Sequence, residues 1–238
     1  MAAMGALRTG SGLVYLGVPE SIYAIEAMKL NEAIVFPLPE RNGKLSSQAI
    51  PLLFERMSAM DAILIGPGIG NSEEVFTVTK SVLENFPGPM VVDADGINVL
   101  AEHKDILRGR TAPTVITPHP GEFQRLVGMP SSDRLADAVA FAKMFGVTVA
   151  LKGHETVITN GESAYLNPTG NPGMAVGGSG DVLAGMIVSM LGQKIDPLLS
   201  AACSAWLHGA AGDVCAEQLG QYGMLPTDML EVLPRLLK

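Results

Sequence analysis

The residues best suited to chemistry lie in a glycine-rich segment, Asn171-Pro-Gly-Met-Ala-Val-Gly-Gly-Ser-Gly-Asp181, which runs into the amphipathic stretch Val182–Met190. Glycines allow the backbone to turn several N–H groups toward one point, and the helix that follows adds the positive end of its dipole. We therefore predict a binding site for phosphate oxygens at Gly177–Asp181. In the first turn of this helix, Asp181 can accept a proton from a hydroxyl that approaches a phosphoryl group. Taken alone, such a segment would also suit a tight turn with a capping aspartate.

A second glycine loop, Ile65-Gly-Pro-Gly-Ile-Gly-Asn71, lies between a predicted strand and a predicted helix. Ligands of open parallel sheets bind at the carboxyl ends of the strands, where such loops lie, so Gly68 and Gly70 are candidate substrate positions. Gly-Pro and Gly-Asn pairs are also ordinary loop residues, and a purely structural turn explains the pattern equally well.

Two more strand ends carry polar residues. Asp93, Asp95 and Asn98 follow one apolar run, and they could contact substrate hydroxyls or metal-bound water. His119 follows the next run and stands between two prolines, which restrict its backbone. Because the carboxyl ends of parallel strands meet at one edge of a sheet, these segments and the two glycine loops converge on one crevice. The alternatives are that Asp95 is a helix N-cap and His119 an ordinary loop histidine.

A lysine, Lys152, closes an apolar strand and could hold a nucleotide phosphate as a point charge. The alternative is a solvated flank of the hairpin that follows. His208, within a helical pattern, suits a packed or capping histidine better than a ligand. We find neither a Cys/His cluster with zinc spacing nor a defensible Ser-His-Asp arrangement, so no metal site made of protein ligands is predicted.

The elements that must position these residues alternate short apolar runs with helical periodicity, the pattern of a mostly parallel sheet covered by helices. The predicted strands are Leu13–Val18, Ala33–Pro37, Ala62–Ile65, Met90–Asp93, Thr114–Thr117 and Val147–Leu151. The predicted helices between and after them are Met1–Arg8, Ser47–Met60, Ser72–Phe86, Ile97–Glu102, Gly121–Leu126, Ser132–Phe145, Asp181–Leu191 and Pro197–Gln218, with a last one N-capped by Thr227. Asn160-Gly161 splits Thr156–Thr159 from Ser163–Leu166 and predicts an antiparallel hairpin at the end of the sheet.

Length and composition limit the class of protein. The 238 residues fit one α/β domain, and 47% hydrophobic residues suffice for a packed core. A net charge of −8 argues against a nucleic-acid partner, and an anionic ligand would need locally focused positive groups. No apolar run approaches the roughly 20 residues needed to cross a bilayer, no secretion signal is recognised, and two cysteines suit free thiols, so we expect a cytosolic protein without a membrane partner.

In these residues the chain resembles the ADP- or ATP-dependent NAD(P)H-hydrate dehydratases of the ribokinase-like superfamily. The resemblance covers nearly the whole chain and rests on Ala6–Gly12, Ile65–Gly70, Val91–Leu100, Thr117–Phe123, Leu151–Ile158, Gly177–Gly185 and Trp206–Asp213 in the family's order. It implies a three-layer α/β/α fold, and it implies dehydration of the S epimer of hydrated NADH or NADPH at the expense of ADP or ATP. In that mechanism the ring hydroxyl is phosphorylated and phosphate is then eliminated.

The resemblance also implies roles for individual residues. Asp181 would deprotonate the hydroxyl, and the N–H groups of Gly178, Ser179 and Gly180 would stabilise the transferring phosphate. The expected nucleotide-binding residues are Lys152, Gly153, His154, Glu155, Thr156 and Gly180. With the crevice residues above, the expected substrate-binding set is Gly68, Gly70, Asp95, Asn98, His119 and Asp181. Mg²⁺ would bridge the phosphates and be held largely by them and by water.

Some expectations stay open on the sequence. The family usually carries about forty more residues before Met1, so we expect that a native N-terminal segment is missing. Bacterial members of the family typically prefer ADP, and we favour ADP as the donor here. The family often forms tetramers. Its functional partner is an epimerase domain, which is sometimes fused ahead of it. The alternatives are another ribokinase-like kinase, acting on a thiazole or pyrimidine alcohol, and a non-catalytic nucleotide-binding protein. The Thr117–Phe123 segment beside Gly66–Gly70 argues against the first, and Asp181 argues against the second.

Overall fold

The computed structural model describes residues 1–130 and 132–238 and contains ten strands and ten α-helices among them. The strands are β1 (Tyr15–Pro19), β2 (Ile34–Leu38), β3 (Glu40–Arg41), β4 (Lys44–Leu45), β5 (Ile63–Ile65), β6 (Met90–Val92), β7 (Thr114–Ile116), β8 (Thr148–Leu151), β9 (Val157–Thr159) and β10 (Ala164–Leu166). The helices are α1 (Ala2–Arg8), α2 (Tyr23–Lys29), α3 (Ile50–Met57), α4 (Glu73–Asn85), α5 (Asp95–Leu100), α6 (Pro120–Val127), α7 (Arg134–Phe145), α8 (Ser179–Gly192), α9 (Pro197–Leu219) and α10 (Pro226–Leu236).

A six-stranded sheet of order β10-β9-β8-β7-β6-β5 forms the centre of the molecule. Strands β5 to β8 run parallel, whereas β9 and β10 pair antiparallel at one edge. Alternate residues of the parallel strands point to opposite faces. Val91 and Val115 pack with helices α8 and α9 on one face, whereas Val92 and Ile116 pack with α4 to α7 on the other. Both faces are buried, which explains why these strands are apolar throughout. The predicted three-layer α/β/α class with an antiparallel edge hairpin is confirmed.

The two first strands differ from the prediction, because β1 and β2 pair with each other in a separate two-stranded parallel sheet. In β2 only Phe36 and Leu38 are buried, and Pro37 between them is exposed. A strand with one buried face and a proline cannot occupy the centre of a sheet that is covered on both sides. Phe36 and Leu38 of this small sheet belong to a core cluster that also includes Val75 and Val78 of α4. Helix α2, which was not predicted, packs against β2 and has no buried residue.

The helix boundaries in the structure differ from the predicted ones by up to three residues. The predicted helix Ser47–Met60 is divided into a 3₁₀ turn, Ser47–Ala49, and α3. Helices α5 and α8 begin two residues earlier than predicted, at Asp95 and Ser179. The predicted N-cap Thr227 was wrong, because α10 begins at Pro226 after an extended Leu225. Proline fits the first helical turn since its missing N–H would have no partner there.

In the part of the chain that the structure describes, no helix is both long and apolar enough to span a bilayer.

Candidate functional site

The predicted phosphate site lies where a glycine turn enters α8. Gly178 is the N-cap and has φ of +94°, a conformation that favours glycine. The N–H of Ser179 donates to the carbonyl of Val176 at 3.2 Å. Among the described residues no acceptor is present for the N–H groups of Gly178, Gly180 and Asp181. Unpaired N–H groups at a helix start form an anion-binding site, and here Asp181 N–H joins the predicted donors while Ser179 N–H is already used.

Asp181 lies in the first turn of α8 and is partly buried. Burial raises the pKa of its carboxyl group, and the nearby carboxylate of Asp93 raises it further, whereas the ammonium of Lys152 acts in the opposite direction. A carboxylate with a raised pKa is a better proton acceptor while it remains ionised at neutral pH. Its position fits a general base beside the unpaired N–H groups.

Lys152 extends from the end of β8 toward the same helix start. Its Nζ lies 2.7 Å from Oδ1 of Asp93 and 4.0 Å from Oε2 of Glu122. A Cβ atom placed on Gly180 would lie only 3.3 Å from this Nζ, so the ammonium is next to the predicted phosphate position. A larger residue at position 180 would make this ammonium move by a few tenths of an ångström. The sequence had placed Lys152 near phosphate, but it did not reveal the carboxylates that hold it.

Asp93 is almost completely buried, with 1% of its surface exposed. Its Oδ1 accepts hydrogen bonds from Lys152 Nζ and from the hydroxyl of Thr117, both at 2.7 Å. A buried carboxylate needs such partners. Asp93 therefore contributes to the site by holding Lys152, and it is too enclosed for the direct contact with a substrate hydroxyl that the sequence suggested.

The loops after β5 and β6 are in close contact. A Cβ atom on Gly66, whose φ is +134°, would lie 1.7 Å from the carbonyl oxygen of Asp93, so only glycine fits. The N–H of Gly70 donates to Oδ2 of Asp95 at 2.9 Å, which joins two of the predicted substrate residues. The residue between the two aspartates, Ala94, has φ of +48° and ψ of −119°, a strained conformation for a residue with a Cβ atom. Asp95 is the first residue of α5 and not its N-cap.

His119 caps α6. Its Nδ1 accepts hydrogen bonds from the N–H groups of Gly121 and Glu122, at 3.0 and 3.3 Å, and Oε2 of Glu122 accepts the N–H of His119 at 2.7 Å. The imidazole side chain is 50% exposed, whereas the carboxylate of Glu122 is 5% exposed. With Nδ1 occupied by the cap and Nε2 lying 3.4 Å from Oε1 of Glu122, the exposed half of the ring is the part that can contact a ligand. The sequence identified His119 but not its reciprocal cap with Glu122. This cap resembles a capping box, which the H-x-x-E spacing could have indicated.

Two predicted substrate residues differ in whether they are open to a ligand or already bonded within the protein. Gly68, with φ of +71°, is exposed, and a Cβ atom on it would meet no described atom within 4 Å. Asn98, by contrast, uses its Oδ1 to accept two hydrogen bonds from the guanidinium of Arg125, at 3.1 and 2.8 Å. Sequence reasoning missed Arg125 because its partner lies 27 positions earlier, on another helix.

The predicted nucleotide-binding stretch, Lys152–Thr156, forms a turn after β8. Arg134 of α7 donates hydrogen bonds to the carbonyls of Leu151, Lys152 and His154, at 3.1, 3.2 and 2.7 Å. The hydroxyl of Thr156 donates to the carbonyl of Gly153 at 3.0 Å.

Within this turn Gly153, His154 and Glu155 are exposed, and Gly153 and Glu155 have positive φ. A turn held by these contacts but open to solvent can present backbone groups to a ligand. No local pattern indicated Arg134.

His208 of α9 is buried behind the phosphate site. Its Nε2 lies 3.3 Å from the hydroxyl of Ser179. Burial lowers its pKa to about 4, so the imidazole is neutral at pH 7. The expectation that it is a packed histidine and not a ligand agrees with this position.

The sheet thus brings Asp181, the unpaired N–H groups of α8, Lys152, His119 and the Gly66–Gly70 loop to one edge. This arrangement can bind phosphate oxygens, remove a proton from an approaching hydroxyl and hold a second ligand near His119.

Comparison with known proteins agrees with this chemistry. The family model described as NAD(P)H-hydrate dehydratase matches residues 1–235. The chain is 44% identical to the bifunctional NAD(P)H-hydrate repair enzyme Nnr of Moorella thermoacetica, over all of this chain and 46% of that protein. It is 36% identical to the ADP-dependent (S)-NAD(P)H-hydrate dehydratase of Neisseria meningitidis serogroup B, over 92% of this chain and 73% of that protein. The chain thus spans slightly less than half of the bifunctional relative's length.

A solved structure is also similar. The ADP/ATP-dependent NAD(P)H-hydrate dehydratase of Bacillus subtilis, co-crystallised with ATP/Mg²⁺ and soaked with CoA, superposes with a TM-score of 0.81 at 29% identity, covering 99% of this chain and 84% of that one. Fold, site and sequence therefore agree, and the chain belongs to the NAD(P)H-hydrate dehydratase family.

Proposed function

We propose that this protein uses ADP or ATP to dehydrate the S epimer of hydrated NADH or NADPH, releasing phosphate and AMP or ADP. The observation that carries the proposal is the partly buried Asp181 carboxylate beside the unpaired N–H groups of Gly178 and Gly180 and the ammonium of Lys152. Family membership and the names of its relatives support the same reaction. The unit that performs it is the ribokinase-like domain of residues 1–238.

Each residue of the site has a separate role in the proposed reaction. Asp181 accepts the proton of the ring hydroxyl while that oxygen forms a bond to the terminal phosphorus of the nucleotide. The bond from phosphorus to the bridging oxygen breaks, and its electron pair leaves with AMP or ADP. The N–H groups of Gly178, Gly180 and Asp181 and the charge of Lys152 stabilise the transferring phosphoryl group. In the second step the C–O bond of the ring breaks, and the phosphate leaves with its electron pair. The adjacent ring carbon loses a proton, and the electrons of its C–H bond form the double bond of NADH or NADPH.

Nucleotide and hydrate bind on opposite sides of Asp181 in this proposal. Lys152–Thr156 and Gly180 take the nucleotide, supported by the exposed backbone of the turn that Arg134 holds. Gly68, Gly70, Asp95 and His119 line the hydrate side, where Gly68 and the imidazole are open to solvent. Asn98, the other predicted hydrate residue, is bonded to Arg125.

Mg²⁺ is the cofactor that we propose. The two carboxylates around Lys152 are already engaged, since Asp93 binds Lys152 and Thr117, and Glu122 binds the N–H of His119. The described residues contain no cluster of three His, Cys, Asp or Glu side chains suited to a metal. This donor set fits a cation that phosphate oxygens and water would hold. When bound, the cation would neutralise part of the phosphate charge.

ADP is the donor that we favour, because the Neisseria relative is named ADP-dependent; the Bacillus protein is named for both nucleotides. We further propose a cytoplasmic homotetramer that works with an NAD(P)H-hydrate epimerase, which the bifunctional relatives suggest. Light scattering of the purified protein tests the tetramer.

The reaction is tested by chromatography of the nucleotide products. The protein, Mg²⁺ and hydrated NADH should convert ADP to AMP, or ATP to ADP, in a one-to-one ratio with the NADH formed. A thiazole alcohol and a pyrimidine alcohol serve as competing substrates. Phosphorylation of either alcohol without turnover of the hydrate would replace the proposal by an ordinary kinase, and nucleotide binding without any product would indicate a non-catalytic protein.

A further inference from the structure

Arg125 is an exposed arginine whose orientation is fixed by a single neighbour. It lies in the last turn of α6, and both its Nε and its Nη2 donate to Oδ1 of Asn98 in α5, at 3.1 and 2.8 Å. Two hydrogen bonds to one oxygen fix the plane of the guanidinium. Free arginine side chains lose about 2 kcal/mol of rotamer entropy when they are ordered, and here part of this cost is met before any ligand binds.

The guanidinium lies beside the crevice. Its Nη1 is 3.8 Å from the position that a Cβ atom on Gly121 would take, and the same position is 2.9 Å from Cε1 of His119. Arg125 and the half-exposed imidazole of His119 are therefore neighbours on the wall that we assign to the hydrate.

The charge of Arg125 is not neutralised by a carboxylate. The ion pairs formed among residues 1–130 and 132–238 do not include it. Lys152, the other cation of the crevice, is paired with Asp93 at 2.7 Å. An uncompensated, pre-oriented cation in a protein of net charge −8 is a binding position for an anion.

We propose that Arg125, oriented by Asn98, binds a phosphate group of the dinucleotide substrate. This inference rests on the proposed function, which supplies a ligand with a diphosphate and, in its NADPH form, a 2′-phosphate. Asn98 is then a positioning residue and not a substrate contact. Arginine suits this role because its planar group presents several donors to phosphate oxygens at once.

The test compares Arg125→Ala with Arg108→Ala in steady-state kinetics on hydrated NADH and hydrated NADPH. Arg108 is a matched control, because it is also an exposed arginine, held by Asp105 at 3.2 Å, and lies in the segment before β7, at the other edge of the sheet. Loss of one charge-assisted hydrogen bond predicts a KM raised about 10- to 100-fold for Arg125→Ala, with kcat changed less than about threefold. A rise with both substrates identifies the diphosphate, and a rise with hydrated NADPH alone identifies the 2′-phosphate.

Asn98→Asp separates ligand binding from a structural role. A carboxylate at residue 98 would keep the contact with Arg125 and strengthen it, so a structural arginine would leave KM unchanged in this variant. If Arg125 binds phosphate, the same change neutralises it and raises KM as Arg125→Ala does. Thermal unfolding of both variants shows whether they fold.

Direct titration with NADPH and NADH separates this inference from the proposed function, since the dinucleotides bind without turnover. If the wild type binds the dinucleotides and Arg125→Ala weakens this binding about 10- to 100-fold, the result supports the inference even if no dehydratase activity is found. Unchanged dinucleotide affinity and unchanged KM in Arg125→Ala would overturn it while leaving the dehydratase activity of the wild type intact.

Discussion

At the residue scale, the environment of Asp181 determines how activity depends on pH. Burial and Asp93 raise the pKa of its carboxyl group in the folded protein, and a base must be deprotonated to act. We therefore expect kcat/KM to fall as pH decreases through this raised pKa, at a higher pH than for an ordinary aspartate. A pH profile of kcat/KM for the hydrate, measured with saturating nucleotide, tests this decrease. A rate that stays constant down to the pKa of a free aspartate would contradict the assignment.

The same raised pKa has a consequence for stability. A carboxyl group with a raised folded-state pKa stabilises the fold while it is protonated, and this contribution is lost as pH rises through that pKa. Above that pKa the ionised Asp181 is therefore a destabilising group. Asp181→Asn should melt at a higher temperature than the wild type at pH 7, although it loses activity, and this difference should shrink as the pH is lowered.

The ion pair between Asp93 and Lys152 makes a further prediction, about stability. Removing one partner of a buried ion pair leaves an uncompensated charge and costs about 3 kcal/mol or more. Lys152→Met should therefore lower the free energy of unfolding, measured by urea denaturation, by roughly this amount. Adding Asp93→Asn to it should recover much of the loss without recovering nucleotide binding. A Lys152→Met protein that is as stable as the wild type would show that the pair is not formed.

His208 gives another prediction, about the pH dependence of stability. Its pKa in the folded protein is about 4, below the ordinary value of 6.5. Unfolded chains then bind a proton that the folded protein does not, so stability is complete above pH 6.5 and decreases as pH falls toward 4. The shift corresponds to about 3 kcal/mol. Urea denaturation of the wild type and of His208→Gln should show a steeper loss between pH 6.5 and 4 for the wild type, and parallel curves would contradict a buried neutral imidazole.

Some of this residue-scale detail was available from the sequence. Residue types after strand ends indicated His119, Asp181 and Lys152, because chain order alone places strand ends at one edge of a parallel sheet. Contacts between side chains distant in the sequence were not available. The bonds from Arg125 to Asn98 and from Arg134 to the Lys152 turn depend on how helices pack, which no local pattern encodes.

At the element scale, α9 holds the segment that leads into the proposed phosphate site. Asp213 accepts hydrogen bonds from the N–H of Gly170 and the side chain of Asn171, at 2.9 and 3.0 Å, and Thr169 donates to the carbonyl of Trp206 at 2.9 Å. The close approach depends on a glycine, because a Cβ atom on Gly209 would lie 2.2 Å from the hydroxyl oxygen of Thr169. The helix that the sequence identified by its spacing therefore also sets the shape of the glycine turn.

Gly209→Ala should displace that segment. Overpacking typically costs about 1 to 3 kcal/mol, and a shift of the turn before Gly178 should lower kcat by about tenfold or more. Gly109→Ala is the matched control, since a Cβ atom there meets no described atom within 4 Å and the residue does not have positive φ. Equal kcat values for the two variants would mean that α9 does not position the site.

The elements themselves were predictable to different degrees. The central strands and the edge hairpin followed from apolar runs and from Asn160-Gly161, because both faces of a parallel sheet must be apolar. The pairing of β1 with β2 did not follow, since strand order depends on tertiary contacts and only the one-sided burial of β2 hinted at it.

At the scale of the whole molecule, the sheet joins the proposed phosphate site on α8 to a crevice on the loops after β5, β6 and β7. Two positive groups lie at this edge of the acidic chain, where Lys152 is held by carboxylates and Arg125 by an amide. Two anionic ligands can then meet in a protein whose overall charge would repel them. The central claim is that this meeting regenerates a nicotinamide cofactor.

The most direct test is absorbance at 340 nm after the protein is mixed with Mg²⁺, ADP or ATP, and hydrated NADH prepared chemically. The proposed function predicts a rise that requires the nucleotide and that Asp181→Asn lowers by about 10²- to 10⁴-fold. No rise with the wild type under either nucleotide, or an equal rise with Asp181→Asn, would contradict it.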